Sequence, residues 1–337
     1  MAKSVVVVGG GIVGCLTALR LAQRGCQVTI VERNIIAAQT SGESSWAGAG
    51  ILFPLLPWMY KDAVNELALR GASLYPQICD DLKRETGIDP EYAQSGMLIE
   101  PPFDADAAQA WCEKNKILTQ IMGENLLLPS VAQVRPPHLL QALKQRLIQQ
   151  NVTLLENTQL EPLKNIEKID SWKTNTGKAL KADVFVVTSG AWSFELLKDT
   201  AVNLNIKPMR GQILLYNLSS HQDLPANIIY QDGFYLVPRR DGYLLAGSTL
   251  EDVGFDARTT EDVKQQLKTK AESILPMLKG MPIHKHWSGL RPGTPDNLPT
   301  IAQHPSIKNL YLNTGHFRYG LTMAPASAER VDNLVCV

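Results

Sequence analysis

A glycine-rich turn between an apolar run and a helical repeat constrains the fold of this 337-residue chain more than any other feature. Val5–Val8 is a continuous apolar run, as is typical of a parallel strand that is buried on both faces. Gly9, Gly11 and Gly14 follow it in the spacing G-x-G-x-x-G, and apolar residues then recur at helical spacing as far as Gly25. This order predicts the strand, tight turn and helix of a dinucleotide-binding βαβ unit.

Each position in this turn has a physical role in holding a dinucleotide. Gly9 permits the tight turn, Gly11 lets a pyrophosphate approach the backbone, and Gly14 lets the helix touch the strand. Ile12 and Val13 open the helix, where unpaired N–H groups and the helix dipole favour phosphate, so the predicted site includes them.

An acidic residue supports the same interpretation. The next predicted strand, Val28–Val31, is followed by Glu32, eighteen residues after Gly14, and Arg33 comes next. A carboxylate at this place accepts hydrogen bonds from ribose hydroxyls and repels a 2′-phosphate. The prediction is therefore FAD or NAD rather than NADP, with both residues at the cofactor.

The segment after the second strand favours FAD over NAD. It is small, polar and rich in glycine, whereas a nicotinamide enzyme would usually continue into a regular βαβαβ half. Such a segment suits backbone that passes an extended cofactor, although a surface loop would look the same. The residues of this segment that are predicted to contact the cofactor are Thr40, Ser41, Ala49, Gly50 and Ile51.

Charge and apolar pattern exclude some partners. Lys plus Arg and Asp plus Glu each number 33, so no basic excess recommends nucleic acid or an anionic membrane. No run approaches the roughly 18–20 apolar residues of a membrane span, and the glycines cut the first apolar run too short for a signal peptide. The five cysteines are scattered and odd in number. We therefore expect a cytoplasmic enzyme with no metal site and with reduced thiols.

Elements further along the chain predict two discontinuous domains. Helical patterns cover Asp62–Arg84, Leu139–Gln150 and Glu261–Leu275, and Asp183–Thr188 reads as a strand. Short alternating segments between Ile206 and Leu250 predict antiparallel sheet. The expected class is α/β with an α+β second domain. A Rossmann-like cofactor domain would comprise residues 1–85, 138–205 and 288–337, and an antiparallel-sheet substrate domain 86–137 and 206–287.

Several segments, in order, resemble the D-amino-acid-oxidase-like flavoenzymes, particularly bacterial glycine oxidases that feed thiazole synthesis for thiamine. Besides the first turn and Glu32 they are Ser45–Leu52, Thr188–Trp192, Arg210–Gln212, Tyr235–Arg239, Trp287–Pro292 and Gly315–Gly320. The resemblance runs through nearly the whole chain and implies bound FAD.

The resemblance also implies where substrate and cofactor contacts fall. Family members bind the substrate carboxylate with the arginine of a G-L-R-P segment, here Arg291, and with a tyrosine that corresponds to Tyr235. The arginine of the G-H-F-R segment, Arg318, would lie by both flavin and substrate. The alternatives are a structural salt bridge for Arg291, a core aromatic for Tyr235 and a surface arginine for Arg318. Further cofactor contacts are expected at Leu160, Gly190, His316, Phe317, Arg318, Tyr319, Gly320, Leu321 and Thr322.

This chain departs from the family pattern at two informative positions. Relatives that oxidise N-methylglycine bind flavin covalently through a cysteine where Gly289 stands here, so FAD is expected to be non-covalent. Gly233 stands where some glycine oxidases have histidine, which leaves the substrate's shape open. His284 and His286 alternate in the manner of metal ligands on a strand, but neither cysteine nor clustered carboxylate accompanies them. The chain also stops near the end of its last predicted helix, so truncation stays open.

The function implied is oxidative deamination of a small amino acid, with glycine the leading substrate and dioxygen the acceptor. No residue stands out as a general acid or base, which suits chemistry that the cofactor carries. An oxidase or dehydrogenase for sarcosine, D-amino acids or cyclic imino acids is the first alternative. A flavin-binding protein without turnover and an NAD-dependent dehydrogenase are the others. Assembly into a homo-oligomer stays open.

Overall fold

The computed structural model describes residues 2–40, 42–219 and 224–336. Its strands are β1 Ser4–Val8, β2 Gln27–Val31, β3 Met97–Glu100, β4 Gln120–Met122, β5 Asn125–Leu128, β6 Thr153–Leu155, β7 Trp172–Lys173, β8 Ala179–Leu180, β9 Val184–Val187, β10 Lys207–Asn217, β11 Ile228–Gln231, β12 Phe234–Pro238, β13 Tyr243–Gly247, β14 Ile283–Gly293, β15 Thr300–Gln303 and β16 Leu310–Thr314. Its helices are α1 Ile12–Gln23, α2 Ser44–Ala47, α3 Asp62–Thr86, α4 Ala105–Lys114, α5 Pro136–Gln149, α6 Ser193–Leu197, α7 Glu261–Ile274 and α8 Gly320–Val335.

A six-stranded sheet forms around the first strand of the chain. Its strand order is β15-β16-β9-β1-β2-β6, and every pair is parallel except the β15–β16 edge. Val5 and Val7 face one apolar layer and Val6 and Val8 face another, so β1 is covered on both sides. Burial on both faces explains why this strand reads as an unbroken apolar run.

Helices α1, α3, α5 and α8 contribute to the first of these layers. Cys15, Leu16 and Leu19 on α1 are buried there against Val5 and Val7, and Ala324 and Val331 bring α8 into the same cluster. The predicted helical spacing after the glycine turn is therefore the buried face of α1. This packing holds the N-terminus of α1 directly above the end of β1.

A second, eight-stranded sheet has the order β14-β10-β13-β12-β11-β3-β5-β4. Its pairs are antiparallel, as predicted between residues 206 and 250, except that β3 joins β11 in parallel. These two strands lie far apart in the chain, so no hairpin fixes their relative direction. Helix α4 packs on one face of this sheet and α7 on the other.

The predicted α/β class is confirmed, and most predicted elements lie close to their expected bounds. Helix α4 was not predicted. The local pattern of Glu91–Glu100 reads as extended, but this segment forms a strand only at β3, and Glu91 itself has a left-handed φ of 55°. The proposed domain division stays a prediction. Strand β14 crosses the proposed boundary between residues 287 and 288, since it pairs with β10 along its length.

Three further features bear on the predicted class. No helix in the described part of the chain combines the length and apolarity needed to cross a bilayer. Within residues 2–40, 42–219 and 224–336, no three His, Cys, Asp or Glu side chains are grouped to hold a metal ion. The five cysteines are free thiols.

Candidate functional site

A crevice of about 250 Å³ opens at the carboxyl end of β1. From β1, the sheet continues through β2 in one direction and through β9 in the other, so the strand order reverses at this point. Ligands of open parallel sheets bind where such a reversal separates the loops that follow neighbouring strands. The crevice is bounded by the loops after β1, β2, β9 and β16 and extends to Arg291 on β14.

The glycine turn is shaped by close contacts that exclude side chains. Gly9 has a φ of +115°, which L-residues rarely adopt. A Cβ on Gly14 would lie 1.9 Å from the Gly9 carbonyl oxygen, and one on Gly11 would lie 2.9 Å from Ser45 Oγ. The three glycines therefore let α1 start against the strand and keep the mouth of the turn open.

The first turn of α1 is held at the crevice by a side chain from the next loop. Ser45 Oγ accepts a hydrogen bond from the Ile12 N–H at 3.0 Å. The neighbouring Val13 also lines the crevice. Since the first N–H groups of a helix have no partner within the helix, this end of α1 presents positive partial charge to the crevice.

Glu32 lies at the end of β2 and lines the same crevice. Its carboxylate accepts hydrogen bonds from the Gly10 N–H at 2.7 Å and from the Asn34 N–H at 3.0 Å. Burial raises the pKa of Glu32, whereas these two hydrogen bonds act in the opposite direction. Each carboxylate oxygen accepts one protein bond and keeps a lone pair for a hydroxyl group.

Arg33 lines the crevice and makes two contacts there. Its Cζ atom lies 3.5 Å from the centroid of the Trp192 ring, which stacks on Phe255 at 5.4 Å. An ion pair with Glu43 at 3.7 Å holds the guanidinium from the other side. A guanidinium on an aromatic face is a cation–π contact, and this one joins the loops that follow β2 and β9.

Arg291 on β14 also lines the crevice. Its Nη1 donates to the Thr249 carbonyl oxygen at 3.0 Å and its Nη2 to Ser248 Oγ at 2.7 Å. Burial lowers the pKa of Arg291, although the nearby Tyr235 hydroxyl and Glu251 act in the opposite direction. No carboxylate within the described residues comes within 4 Å of this guanidinium to form an ion pair. Its remaining donors are therefore available to an anion.

Two predicted partners of Arg291 approach it from different elements. Tyr235 is buried on β12, and its nearby hydroxyl raises the pKa of Arg291. Arg318 is exposed in the 3₁₀ turn Phe317–Tyr319, and its positive charge lowers the pKa of Arg291. The structure thus brings the three predicted substrate residues close together, with Arg291 and Arg318 in the crevice lining and Tyr235 outside it.

Two buried polar atoms on the crevice wall lack protein partners. His316 is 2% exposed and its Nε2 has no hydrogen bond within the described residues, nor does Asn313 Oδ1. Both residues line the crevice. Unpaired buried polar atoms cost free energy, so each of these two residues leaves a hydrogen bond unmade beside the crevice.

Because His316 is buried as a neutral imidazole, we expect the free energy of unfolding to depend on pH. Burial lowers its pKa to about 3, whereas an unfolded histidine titrates near 6.5. Between these values the unfolded chain binds the additional proton, so the stabilisation is complete above about pH 6.5 and is lost as the pH falls towards 3. From about pH 7 to about pH 5, the unligated wild type should lose roughly 2 kcal/mol more unfolding free energy than His316→Asn. Denaturant titrations measure this difference, and exposed His284→Asn is the control. Equal losses in wild type and His316→Asn would contradict the prediction.

The structure places most predicted site residues at the crevice. Those that line it are Gly9, Gly11, Ile12, Val13, Glu32, Arg33, Leu160, Gly190, Arg291, His316, Phe317, Arg318, Gly320 and Leu321. Those that are not part of this lining are Gly14, Thr40, Ala49, Gly50, Ile51, Tyr235, Tyr319 and Thr322. Ser41 falls outside the described residues. The roles of all these residues in binding stay predictions.

Some of the predicted residues outside the lining make hydrogen bonds to other parts of the fold. The Ala49 carbonyl oxygen accepts a bond from buried Arg239 at 2.7 Å. Thr322 Oγ1 donates to the Ile51 carbonyl oxygen at 3.0 Å. These bonds join the loop after α2 to the second sheet and to α8. The loop is thereby held as a wall of the crevice.

Sequence reasoning missed part of the lining. The missed residues are Val8, Val31, Glu43, Ser44, Ser45, Gly48, Thr158, Gln159, Pro162, Thr188, Ser189, Ala191, Trp192, Glu195, Leu196, Pro292, Asn313 and Thr314. Ser45, Thr188, Trp192 and Pro292 stand within segments that carried the family resemblance, which was the available signal. Thr158, Gln159 and Pro162 surround Leu160 in a loop without regular pattern.

The turn, the acid and the position of the crevice together define a dinucleotide-binding protein of the α/β class. Within that class, the chain belongs to the DAO family of FAD-dependent oxidoreductases, whose family model matches residues 4–334. The predicted family is therefore confirmed, and the NAD-dependent alternative is wrong.

Relatives agree over nearly the full length of the chain. It is 36% identical to a glycine oxidase of Pseudomonas putida and 37% identical to one of Pseudomonas aeruginosa, in each case over 99% of this chain and 95% of the relative. The crystal structure of glycine oxidase from Geobacillus kaustophilus superposes with a TM-score of 0.90 at 25% identity, covering 99% of this chain and 95% of that one.

The crevice has features that fit FAD. The open glycine turn and the start of α1 suit a pyrophosphate, and the Glu32 carboxylate suits ribose hydroxyls. The unpaired atoms of His316 and Asn313 suit the polar edge of a further group in the same crevice. The cofactor of this family is consistent with the donors and acceptors that the chain presents.

Proposed function

We propose that this protein oxidises a small amino acid, with glycine as the leading substrate and dioxygen as the final acceptor. The observation that carries the proposal is the Arg291 guanidinium, which lines the crevice without an ion-pair partner in the described part of the chain. Its planar donors match a carboxylate in two parallel bonds. The glycine oxidases among its relatives support glycine as the leading candidate.

The roles of the chain's own residues follow from their charges. Arg291 would bind the substrate carboxylate and Tyr235 would add a hydroxyl donor. The positive charges of Arg291 and Arg318 disfavour a substrate ammonium beside them, so they promote loss of its proton and leave a neutral amine. His316 is a poor general base, because burial lowers its pKa to about 3.

The overall reaction balances without a protein acid or base. When bound, FAD would supply the oxidising power: a hydride, which carries both electrons, would leave the substrate α-carbon, and with the proton lost from the amine it would reduce dioxygen to hydrogen peroxide. The imine that leaves the enzyme adds water and releases ammonia and a 2-oxo acid. For glycine that acid is glyoxylate. The protein contributes by orienting the α-carbon and amine through the carboxylate contact.

A peroxide-coupled assay of glycine, sarcosine, D-alanine and D-proline tests this function. We expect glycine to give the highest kcat/KM. One methylene changes discrimination by only about 1–3 kcal/mol, so activity with neighbouring substrates would also be expected. A higher kcat/KM for sarcosine or a D-amino acid would replace glycine as substrate, and no peroxide from any of the four would contradict an oxidase.

Non-covalent FAD binding should depend on Glu32. Glu32→Ala should raise the FAD dissociation constant by roughly 10- to 100-fold, because it removes charge-assisted hydrogen bonds worth about 1.5–3 kcal/mol. Glu32→Gln keeps an acceptor without the charge and should fall between. Flavin fluorescence on titration of the apoprotein measures both. An unaltered constant for Glu32→Ala would show that this carboxylate makes no ribose contact.

Acid precipitation of the holoprotein checks the non-covalent attachment. Gly289 offers no side chain for a covalent bond, and a Cβ there would lie 2.7 Å from the Ala47 Cβ. We expect all flavin in the supernatant. Colour that stays in the pellet would contradict the assignment.

A further inference from the structure

The segment Arg210–Gly211–Gln212 on β10 contributes no residue to the crevice lining, yet it lies directly beside Arg291. Strand β10 pairs with β14, and Met209 is the register partner of Arg291. A Cβ on Gly211 would lie 2.0 Å from Arg291 Nη1 and 2.4 Å from both Cζ and Nη2. The guanidinium therefore rests on bare backbone, in space that a side chain at position 211 would occupy.

We propose that Arg210–Gly211–Gln212 is the positioning device for the carboxylate-binding guanidinium. This inference rests on the proposed function, because it concerns how Arg291 is aimed at the substrate. Gly211 provides the space on the crevice side of β10. Arg210 and Gln212, which alternate with it, act from the opposite face of the strand.

On that opposite face, Arg210 and Gln212 hold one carboxylate between them. Arg210 Nη2 lies 2.6 Å from Glu251 Oε2, and Gln212 Nε2 donates to Glu251 Oε1 at 3.0 Å. Arg210 is 4% exposed and Gln212 is fully buried. Backbone bonds in both directions between Arg210 and Glu251, each of 2.9 Å, fix the segment after β13 to β10.

Thr249 connects this buried network to the guanidinium. Its Oγ1 donates to Glu251 Oε1 at 2.6 Å and accepts from the Gln212 N–H at 2.9 Å. The Thr249 carbonyl oxygen accepts from Arg291 Nη1 at 3.0 Å. The network thus holds the acceptor that turns the guanidinium towards the crevice, and the absent side chain at Gly211 gives it room.

The clash at Gly211 involves the far end of a flexible side chain rather than backbone. A Cβ added there can be accommodated if the guanidinium moves, so Gly211→Ala should fold and bind FAD. Its Arg291 can no longer occupy the same place. The Gly211→Ala variant therefore changes the orientation of the guanidinium without disrupting the fold.

The test compares Gly211→Ala, Arg291→Lys and the double variant as FAD-loaded enzymes. The readouts are KM and kcat for glycine and the dissociation constant of acetate, measured by its perturbation of flavin absorbance. We expect each single variant to raise KM and the acetate constant at least tenfold with FAD content unchanged. The double variant should match Arg291→Lys within about twofold, because both substitutions act through one group.

Leu214→Ala is the matched control for destabilisation. Leu214 also lies on β10, but it is buried in the apolar cluster on the face of the sheet that points away from Arg291. It should lower thermal stability and leave KM and the acetate constant unchanged. Thr249→Val, which removes the hydroxyl but keeps the carbonyl, should raise KM less than Gly211→Ala does.

The outcomes separate the inference from the proposed function. If Arg291→Lys leaves both KM and acetate binding at wild-type values, the proposed substrate contact fails. If Arg291→Lys weakens both and Gly211→Ala does not, the positioning role is overturned while the function stands. Effects that multiply in the double variant would also overturn it, and a wild-type KM for Thr249→Val would remove the buried network from the device.

Discussion

Arg291→Ala is expected to retain FAD and to lose about 30- to 4,000-fold in kcat/KM for glycine. Removing one partner of a buried, hydrogen-bonded charge pair costs roughly 2–5 kcal/mol, which converts to this range. Because the guanidinium binds the carboxylate in both the bound substrate and the transition state, most of the loss should appear as a higher KM rather than as a lower kcat. Steady-state kinetics and the flavin-to-protein absorbance ratio measure the two quantities separately.

Arg84→Ala is the control for removal of an arginine. Arg84 is exposed on α3 and pairs with Asp81 and Glu85 on the same helix. We expect wild-type kcat/KM and FAD content from it. If Arg291→Ala also kept its kcat/KM, the substrate carboxylate would have to bind elsewhere and the proposed function would lose its main support.

Gly14→Ala is expected to destabilise the protein by about 3 kcal/mol and to remove most of its FAD. The added Cβ would lie 1.9 Å from the Gly9 carbonyl oxygen and 2.7 Å from Thr188 Oγ1. Neither the turn nor β9 can move freely, so α1 must shift away from β1 at the cost of buried packing. Denaturant unfolding of the apoprotein and the flavin content of the purified variant are the measurements.

Gly25→Ala, just beyond the C-terminus of the same helix, separates steric contact from backbone preference. Gly25 follows the C-terminus of α1, has a φ of +85° and has no atom within 4 Å of an added Cβ. Only the left-handed conformation is penalised there, by about 1–2 kcal/mol. This variant should keep its FAD. Equal losses in the two variants would refute the role of Gly14 in close helix–strand contact.

Local pattern was sufficient to predict the first βαβ unit and most helices. Val5–Val8, the glycine spacing and the apolar repeat of α1 each depend on residues close together in the chain. The same holds for α3 and α7, whose amphipathic spacing predicted their bounds within a few residues. These elements are encoded by the residues that form them.

Partners that are distant in sequence could not be predicted in this way. Nothing local indicates that β9 pairs with β1 or that β3 joins β11 in parallel. The same is true of Ser45, whose hydroxyl holds the start of α1, and of Arg239, whose guanidinium is buried among backbone carbonyls of two loops. Their roles depend on contacts between segments that only the folded chain brings together.

The candidate site followed the same division. The glycines and Glu32 carry their meaning in local spacing, whereas Arg291, Tyr235 and Arg318 were named through the family resemblance. Sequence gave no indication that Thr249 and Ser248 would accept bonds from Arg291, or that Gly211 would leave it space. Such second contacts lack a motif because they depend on the register between β10, β13 and β14.

Strand β14 places Arg291 at a fixed number of residues from its backbone contacts with Gly42. Arg291 lies near the end of this strand. Earlier in the strand, the Ser288 carbonyl oxygen accepts a hydrogen bond from the Gly42 N–H, and the Leu290 N–H donates to the Gly42 carbonyl oxygen. Each residue of a strand advances it by about 3.3 Å and reverses its side-chain face. One residue inserted between these contacts and Arg291 would turn the guanidinium to the other face of the sheet. The number of residues between the Gly42 contacts and Arg291 therefore fixes the face of the sheet on which the guanidinium lies.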